Sequence, residues 1–440
     1  MYIQTLPGFR TFYPTECAQK NSIFTAWRKI ACCHGFLEYE APILEPLELF
    51  TEKSGPEIKE QLFHFVDKGG RAIALRPELT PSVVRMVAAK VQTLRKPIKW
   101  FNIGEQFRFE RPQKGRLRSF YQLNVDCFGL EDVTADAEVI ACLIQLFTTF
   151  GLTEADFKIR LSDRQLWFQF FYAKGLNQDQ VHIALGIIDK MEREHESETL
   201  KKLSSIFPEH TPAILLEIQA IAQARDFQAL KAALGQTLKA QQLSLRLDEW
   251  SQLLSLLNQM GMGPFIQIDL SIVRGLAYYT GFVFEAFQTT LGGRALAGGG
   301  RYDDLVEKLG GPSLPAVGFA IGDVTFTDLL RKKNLLPVAD HHPDCFLVSM
   351  GEKSRSVLLG DIQRIRAAGI HAEYVLHPTT LTKQLKMADQ MQAQWLIIYG
   401  EEEVERGYVQ VRSSSSREEQ EIEHQQLIDY LHKLMIPSHA

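Results

Sequence analysis

The segment Phe107 to Asp126, FRFERPQKGRLRSFYQLNVD, decides how this chain folds. The residues on either side, IKWFNIGEQ before it and CFG after it, continue two strand patterns. The basic middle is therefore the loop of an antiparallel hairpin, with Pro112 and Gly115 as its turn residues. Five basic residues, Arg108, Arg111, Lys114, Arg116 and Arg118, fall within eleven positions. Such a run is usually a solvated face. The return strand argues for more, because Gln122, Asn124 and Asp126 alternate onto one face, and burying three polar side chains there is costly unless a polar group meets them. On the outgoing strand Arg108 and Glu110, two residues apart, share a face. A guanidinium fixed on a sheet suits a phosphate oxygen, since it keeps its charge and can bond bidentately.

Upstream of the hairpin, Ile23, Trp27, Ile30 and Ala31 fall on one face of a helix that Gly35 ends, and EAPILEPLELF follows as an extended segment. QLFHFV and RAIALRPE read as short strands around Lys68-Gly69-Gly70, with Thr80-Pro81 as the N-cap and first position of the next helix. Downstream, residues 166–262 turn to helical periodicity, with Trp250, Leu253, Leu254 and Leu257 in one apolar stripe. Strands return with FIQIDLSIV, GFVFEAF and AVGFAIG, and GGGRYDDL between them has the composition of a tight turn or a close backbone approach.

This divides the chain into a sheet domain in two parts, 1–165 and 263–330, a helical insertion at 166–262, a linker at 331–343 and a last domain at 344–440. The last domain reads β-α-β-α-β-β-α, a compact α/β unit with a mostly parallel sheet. The fold class is α+β: an antiparallel sheet flanked by helices, with the insertion and a C-terminal α/β domain.

Composition limits the functions available. The net charge of -5 confines any nucleic-acid contact to local basic patches. The six cysteines have no CxxC spacing, which points to reduced thiols and a cytoplasmic protein. No targeting segment opens the chain and no apolar run reaches membrane-spanning length. No zinc-ligand spacing, GxSxG, Rossmann or P-loop pattern is present, so the expected metal ligands are none. Two further segments place chemistry near the hairpin. LRPELT sets Glu78 and Thr80 at a strand-to-helix junction, and SIVRGLAYYTG sets Arg274 close to Tyr278 and Tyr279.

Together FRFERPQKGRLRSFYQLNVDCFG, VRGLAYYTGFVFEAF and GGGRYDDL, in that order and with a helical insertion between the first two, resemble the signature segments of the histidyl-tRNA synthetase family. LRPELTPS, GFRTFYP and EAPILEPLELFTEKSG look like further family segments. The resemblance implies a class II synthetase catalytic domain, a C-terminal anticodon-binding domain and a homodimer formed through the N-terminal helix and adjoining strand. It implies that histidine and ATP, with Mg2+, form histidyl-adenylate and that the histidyl group passes to the 3′ end of histidine tRNA. By matching positions, Arg108 and Arg274 are the catalytic arginines on the α-phosphate, and Glu110 sits near the adenine. Glu78, Thr80 and Gln122 bind the ammonium group of histidine, and Asp126 and Tyr278 read its imidazole with Tyr279 close by. Gln113, Lys114, Arg116 and Arg118 reach the tRNA acceptor end, while the C-terminal domain, with Lys383 and Lys386 in a helix-like stretch, grips the anticodon.

Two departures from the family pattern stand out. The family usually has glutamate where Asp126 stands, and the class II pattern has Glu-Arg where Val324-Thr325 stand. The regulatory subunit of ATP phosphoribosyltransferase resembles the same catalytic domain and senses histidine without catalysis. It usually lacks the C-terminal domain and the Arg-Gly-Leu-x-Tyr-Tyr pattern, both of which occur here.

Overall fold

The computed structural model describes residues 3–54, 56–113, 115–191, 194–209, 211–235, 237, 240–273, 278–289, 295–338 and 342–435. They form two compact units, one reaching Val338 and the other made of the remaining C-terminal residues.

The first unit opens with α1 (Pro14–Cys33), whose apolar stripe of Ile23, Trp27, Ile30 and Ala31 is buried. Pro14 takes the first helical position, and Gly35 at φ +75° lets the chain leave the helix. The strands are β1 (Leu37–Glu38), β2 (Leu44–Pro46), β3 (His64–Val66), β4 (Ala72–Leu75), β5 (Ile98–Phe107), β6 (Ser119–Phe128), β7 (Phe157–Asp163), β8 (Ile266–Ile268), β9 (Phe282–Gln288), β10 (Ala297–Arg301) and β11 (Ala316–Gly322). Eight of them make one sheet in the order β1-β5-β6-β11-β10-β9-β7-β8, antiparallel except at its two ends, while β2, β4 and β3 form a small separate sheet.

One side of the large sheet packs on α1 and on α4 (Thr134–Thr148), where Val139, Leu143 and Phe147 are fully buried. Six helices between Arg164 and Gln259 contribute to this same core through Trp167, Leu230 and Trp250. In the apolar stripe near the end of this run Trp250, Leu253 and Leu257 are buried, whereas Leu254 is only partly covered. The described residues from 164 to 259 thus share the core of the sheet rather than forming a separate one. Leu335 and Leu336, in the stretch read as a linker, also pack against it.

Two local expectations are corrected, and one open reading is narrowed. Of the two readings of GGGRYDDL, a tight turn or a close backbone approach, the second holds for its glycines: Ala297–Arg301 is β10, inside the large sheet between β9 and β11, and Gly298 and Gly299 line a cavity. Glycine is required there by close packing, since a Cβ at Gly299 would press on the Gly318 carbonyl and on Phe284 and Phe319. Thr80 is not the N-cap of α3 (Thr80–Lys90); Leu79 precedes the helix and makes no side-chain cap bond, and Thr80 instead hydrogen-bonds Tyr278. Arg108 and Glu110 do not lie on the strand, which ends at Phe107. Beyond that point Phe109 N–H donates to Gln61 O at 2.8 Å and Arg118 N–H donates to Gly8 O at 2.9 Å, so other segments take over the hairpin's hydrogen bonds.

The second unit has a five-stranded sheet, β12 (Cys345–Ser349), β13 (Ala372–Tyr374), β14 (Trp395–Tyr399), β15 (Tyr408–Ser413) and β16 (Glu419–Glu423), in the order β13-β12-β14-β15-β16. Only β13-β12 and β12-β14 are parallel, so the sheet is mixed rather than mostly parallel. The expected order lacks β16, whose EQEIE sequence buries Ile422 alone and carries little periodic apolar signal.

Candidate active site

The face of the large sheet away from α4 carries two adjoining cavities, of about 230 and 250 Å³. They share Arg108, Gln122, Gly298 and Ala320 as common walls. Their floor follows from strand register. Gln122, Asn124 and Asp126 of β6 lie opposite Gly322, Ala320 and Gly318 of β11, and Ala320 in turn pairs with Gly298 of β10. A row of polar side chains thus borders a trough kept open by residues with little or no side chain. Gly318 is needed for this, because a Cβ there would collide with the Asp126 carboxylate.

The first cavity brings together Glu78, Thr80, Gln122, Asp126, Tyr278 and Tyr279, with Arg108 at its edge. The junction after β4 is fixed by Arg76, 2% exposed, whose Nη1 donates to Ala41 O at 2.7 Å and Nε to Glu105 O at 3.0 Å. That clamp sets the Glu78–Thr80 backbone against β5. Burial raises the pKa values of Tyr278, Tyr279 and Tyr302 above the ordinary phenol value, with nearby carboxylates or phenols adding to the effect. All three therefore remain hydroxyl donors beside Glu78 and Asp126. Such an enclosure complements a small ligand with a cationic group and a ring N–H.

Arg108 stands where the cavities meet. Its Nε donates to Pro77 O at 3.1 Å and its guanidinium lies 5.1 Å from the Phe120 ring centroid, with no ion-pair partner among the described residues. A held, unneutralised cation between two cavities suits an anion that spans them. The second cavity is lined by Glu110, Arg116, Leu117 and Phe120, and by Val324 and Thr325 from the first turn of α12 (Asp323–Lys332). Glu110 and Arg116 pair at 3.1 Å.

The loop residues divide by environment. Gln113 and Arg116 close a tight turn through mutual backbone bonds and stand at the loop tip. Arg118 is turned inward, its Nε on Glu110 O at 3.1 Å and its guanidinium 4.9 Å from the Phe109 ring centroid. Lys114 and Arg274 lie outside the described residues. The residue expectations omitted Arg76 and Tyr302. Both sit within quoted motifs, but only the tertiary contacts distinguish them from ordinary motif neighbours.

The antiparallel sheet with its paired trough defines the catalytic fold of a class II aminoacyl-tRNA synthetase. Residues 8–323 match the family model described as Histidyl-tRNA synthetase, and residues 344–434 match the Anticodon binding domain. The chain is 47% identical to the histidine–tRNA ligase of Opitutus terrae, over 96% of this chain and 97% of that one. It is 37% identical to the histidine–tRNA ligase of Pyrococcus abyssi, over 96% of both chains. Its fold superposes on the crystal structure of histidyl-tRNA synthetase from Nostoc sp. PCC 7120 with a TM-score of 0.80 at 24% identity, covering 99% of this chain and 100% of that one. The chain belongs to the histidyl-tRNA synthetase family.

Proposed function

We propose that the chain activates L-histidine with ATP and transfers the histidyl group to the 3′ end of histidine tRNA. In the first step a histidine carboxylate oxygen attacks the α-phosphorus of ATP and pyrophosphate leaves. In the second a hydroxyl of the terminal tRNA ribose attacks the carbonyl carbon and AMP leaves. The observation that carries this reading is Arg108, unpaired among the described residues and common to both cavities.

Histidine occupies the first cavity. Its ammonium group meets Glu78, Thr80 and Gln122, and its imidazole meets Asp126 and Tyr278, with Tyr279 alongside. ATP occupies the second, with the adenine near Glu110 and the α-phosphate on Arg108. Arg274 is assigned the charge on the reacting phosphate from its place in the VRGLAYYTG motif. Orientation and fixed charge carry the chemistry, and no covalent enzyme intermediate is needed. Among the described residues no group of three or more His, Cys, Asp or Glu side chains forms a metal cage. Mg2+ would come with the ATP phosphates, the usual way this ion is held, with one or two protein carboxylates beside it.

Gln113, Lys114, Arg116 and Arg118 form the acceptor-end contact. Arg118, through its Nε on Glu110 O, also holds the loop in shape. The C-terminal unit takes the anticodon, with Lys383 and Lys386 exposed on one helix. Phosphate contacts there supply affinity and exposed bases supply identity.

The proposed homodimer, formed through the N-terminal helix and adjoining strand, is also supported by the small sheet, where Leu44, Phe65 and Val66 are 46%, 50% and 68% exposed around a groove of about 1040 Å³. Six free thiols support a reducing, cytoplasmic setting.

Histidine-dependent exchange of labelled pyrophosphate into ATP tests activation without requiring the correct tRNA. Robust exchange, followed by charging of histidine tRNA, is the expected result. Histidine binding without exchange would replace this reading with a histidine sensor.

A further inference from the structure

We propose that Asn124 is a specificity residue that hydrogen-bonds the bound amino acid beside its ring, between the groups held by Gln122 and Asp126. The proposal rests on reading the first cavity as the histidine site.

Asn124 is 3% exposed and lines that cavity. Its Oδ1 is buried and has no hydrogen-bond partner among the described residues. The neighbouring strands do not supply one. On the β5 side it faces Asn102, whose amide nitrogen donates to Tyr39 O at 2.5 Å and whose own Oδ1 is an acceptor likewise without a partner among the described residues, and on the β11 side it faces Ala320, which offers only a methyl group. A buried carboxamide left unbonded is costly, and native structures keep such groups where a ligand or an ordered water completes them.

Position narrows the ligand group involved. Same-face residues on a strand are about 6.5 Å apart, so Asn124 sits midway between Gln122 and Asp126, whose side chains reach from either side toward a ligand lying over β6. Asn124 lies beneath its middle, where the ring nitrogen Nδ1, next to the carbon that joins the side chain to the ring, is the histidine group able to meet it. A carboxamide offers both a donor and an acceptor at that point. An aliphatic side chain of similar size would leave both unpaired, which turns the residue against apolar amino acids.

The test compares Asn124→Ala and Asn124→Leu with the unaltered full-length protein. Histidine and histidinol binding are measured by calorimetry, alongside KM for histidine and ATP in pyrophosphate exchange and the melting temperature. The expected result is at least about tenfold weaker binding of both ligands, with KM for ATP and the melting temperature unchanged. Histidinol keeps the ammonium and imidazole but lacks the carboxylate, so an equal loss places the contact away from the carboxylate. Histidine affinity within twofold of the original in both variants would overturn the proposal. So would affinity and melting temperature falling together, which marks a structural role. Failure of the unaltered protein to bind histidine would instead reject the assignment of the cavity itself.

Discussion

The Tyr302 hydroxyl lies 2.5 Å from Asp126 Oδ1, and each residue is only 2% exposed. This bond joins the segment that follows β10 to the polar edge of β6, and it fixes the carboxylate assigned to the imidazole. Burial keeps the phenol protonated, so Tyr302 always donates.

Replacing Tyr302 by Phe removes this donor and leaves a buried carboxylate oxygen short of a bond, worth about 1–3 kcal/mol. KM for histidine is expected to rise by about tenfold or more, with KM for ATP little changed. Steady-state pyrophosphate exchange checks both values in one experiment.

Arg108→Ala removes the guanidinium that stands between the cavities. Adenylate formation is expected to fall about 10²–10³-fold, the range typical for losing one preorganised charge on a transition state. Histidine affinity, measured by calorimetry, is expected to remain within a few-fold. Arg108→Lys keeps charge without the bidentate fork and falls between the two.

His34, Glu138 and Lys99 tie the end of α1 to α4 and β5, with His34 Nδ1 3.1 Å and Lys99 Nζ 2.9 Å from Glu138 Oε1. The bond to Glu138 raises the His34 pKa above 6.5, so its contribution is complete below that pH and disappears as pH rises through the folded value. The bond to His34 holds Glu138 at about 2 rather than 4.5, so its contribution is complete above 4.5 and disappears as pH falls toward 2. Stability from this cluster is greatest between those unfolded values. His34→Ala is expected to flatten the fall of melting temperature above pH 6.5, as followed by circular dichroism.

Val66→Asp places a charge in the exposed apolar groove of the small sheet. Light scattering is expected to move from twice the chain mass to the chain mass, with the far-ultraviolet spectrum retained. A single-chain mass for the unaltered protein would count against the dimer.

Gly299→Ala introduces a methyl group against the Gly318 carbonyl, Phe284 and Phe319. Overpacking of this kind costs about 1–3 kcal/mol, to be read from urea denaturation. Gly310, at φ +85° with open space around its Cβ position, provides a control in which an equivalent loss comes from backbone conformation alone.

The β5-β6 hairpin was legible in the sequence because local alternation and turn residues determine it. So were the stripe of α1, the helical run before Gln259 and the shared face of Gln122, Asn124 and Asp126. These features depend on spacing within one segment, and spacing is printed in the chain. Tertiary structure alone decided which polar groups remain open. Arg118 and Arg108 are the same residue type in the same loop, yet one is held against Glu110 and Phe109 while the other faces two cavities. Gly299 reads equally as a turn or a close-approach residue until β9 and β11 enclose it, and Tyr302 is an unremarkable tyrosine until it reaches Asp126 across the chain. The sequence by itself determined the strands and the chemistry they carry. The register among β6, β11 and β10 decided which of those groups meet, because it joins β6 to strands more than a hundred residues further along the chain.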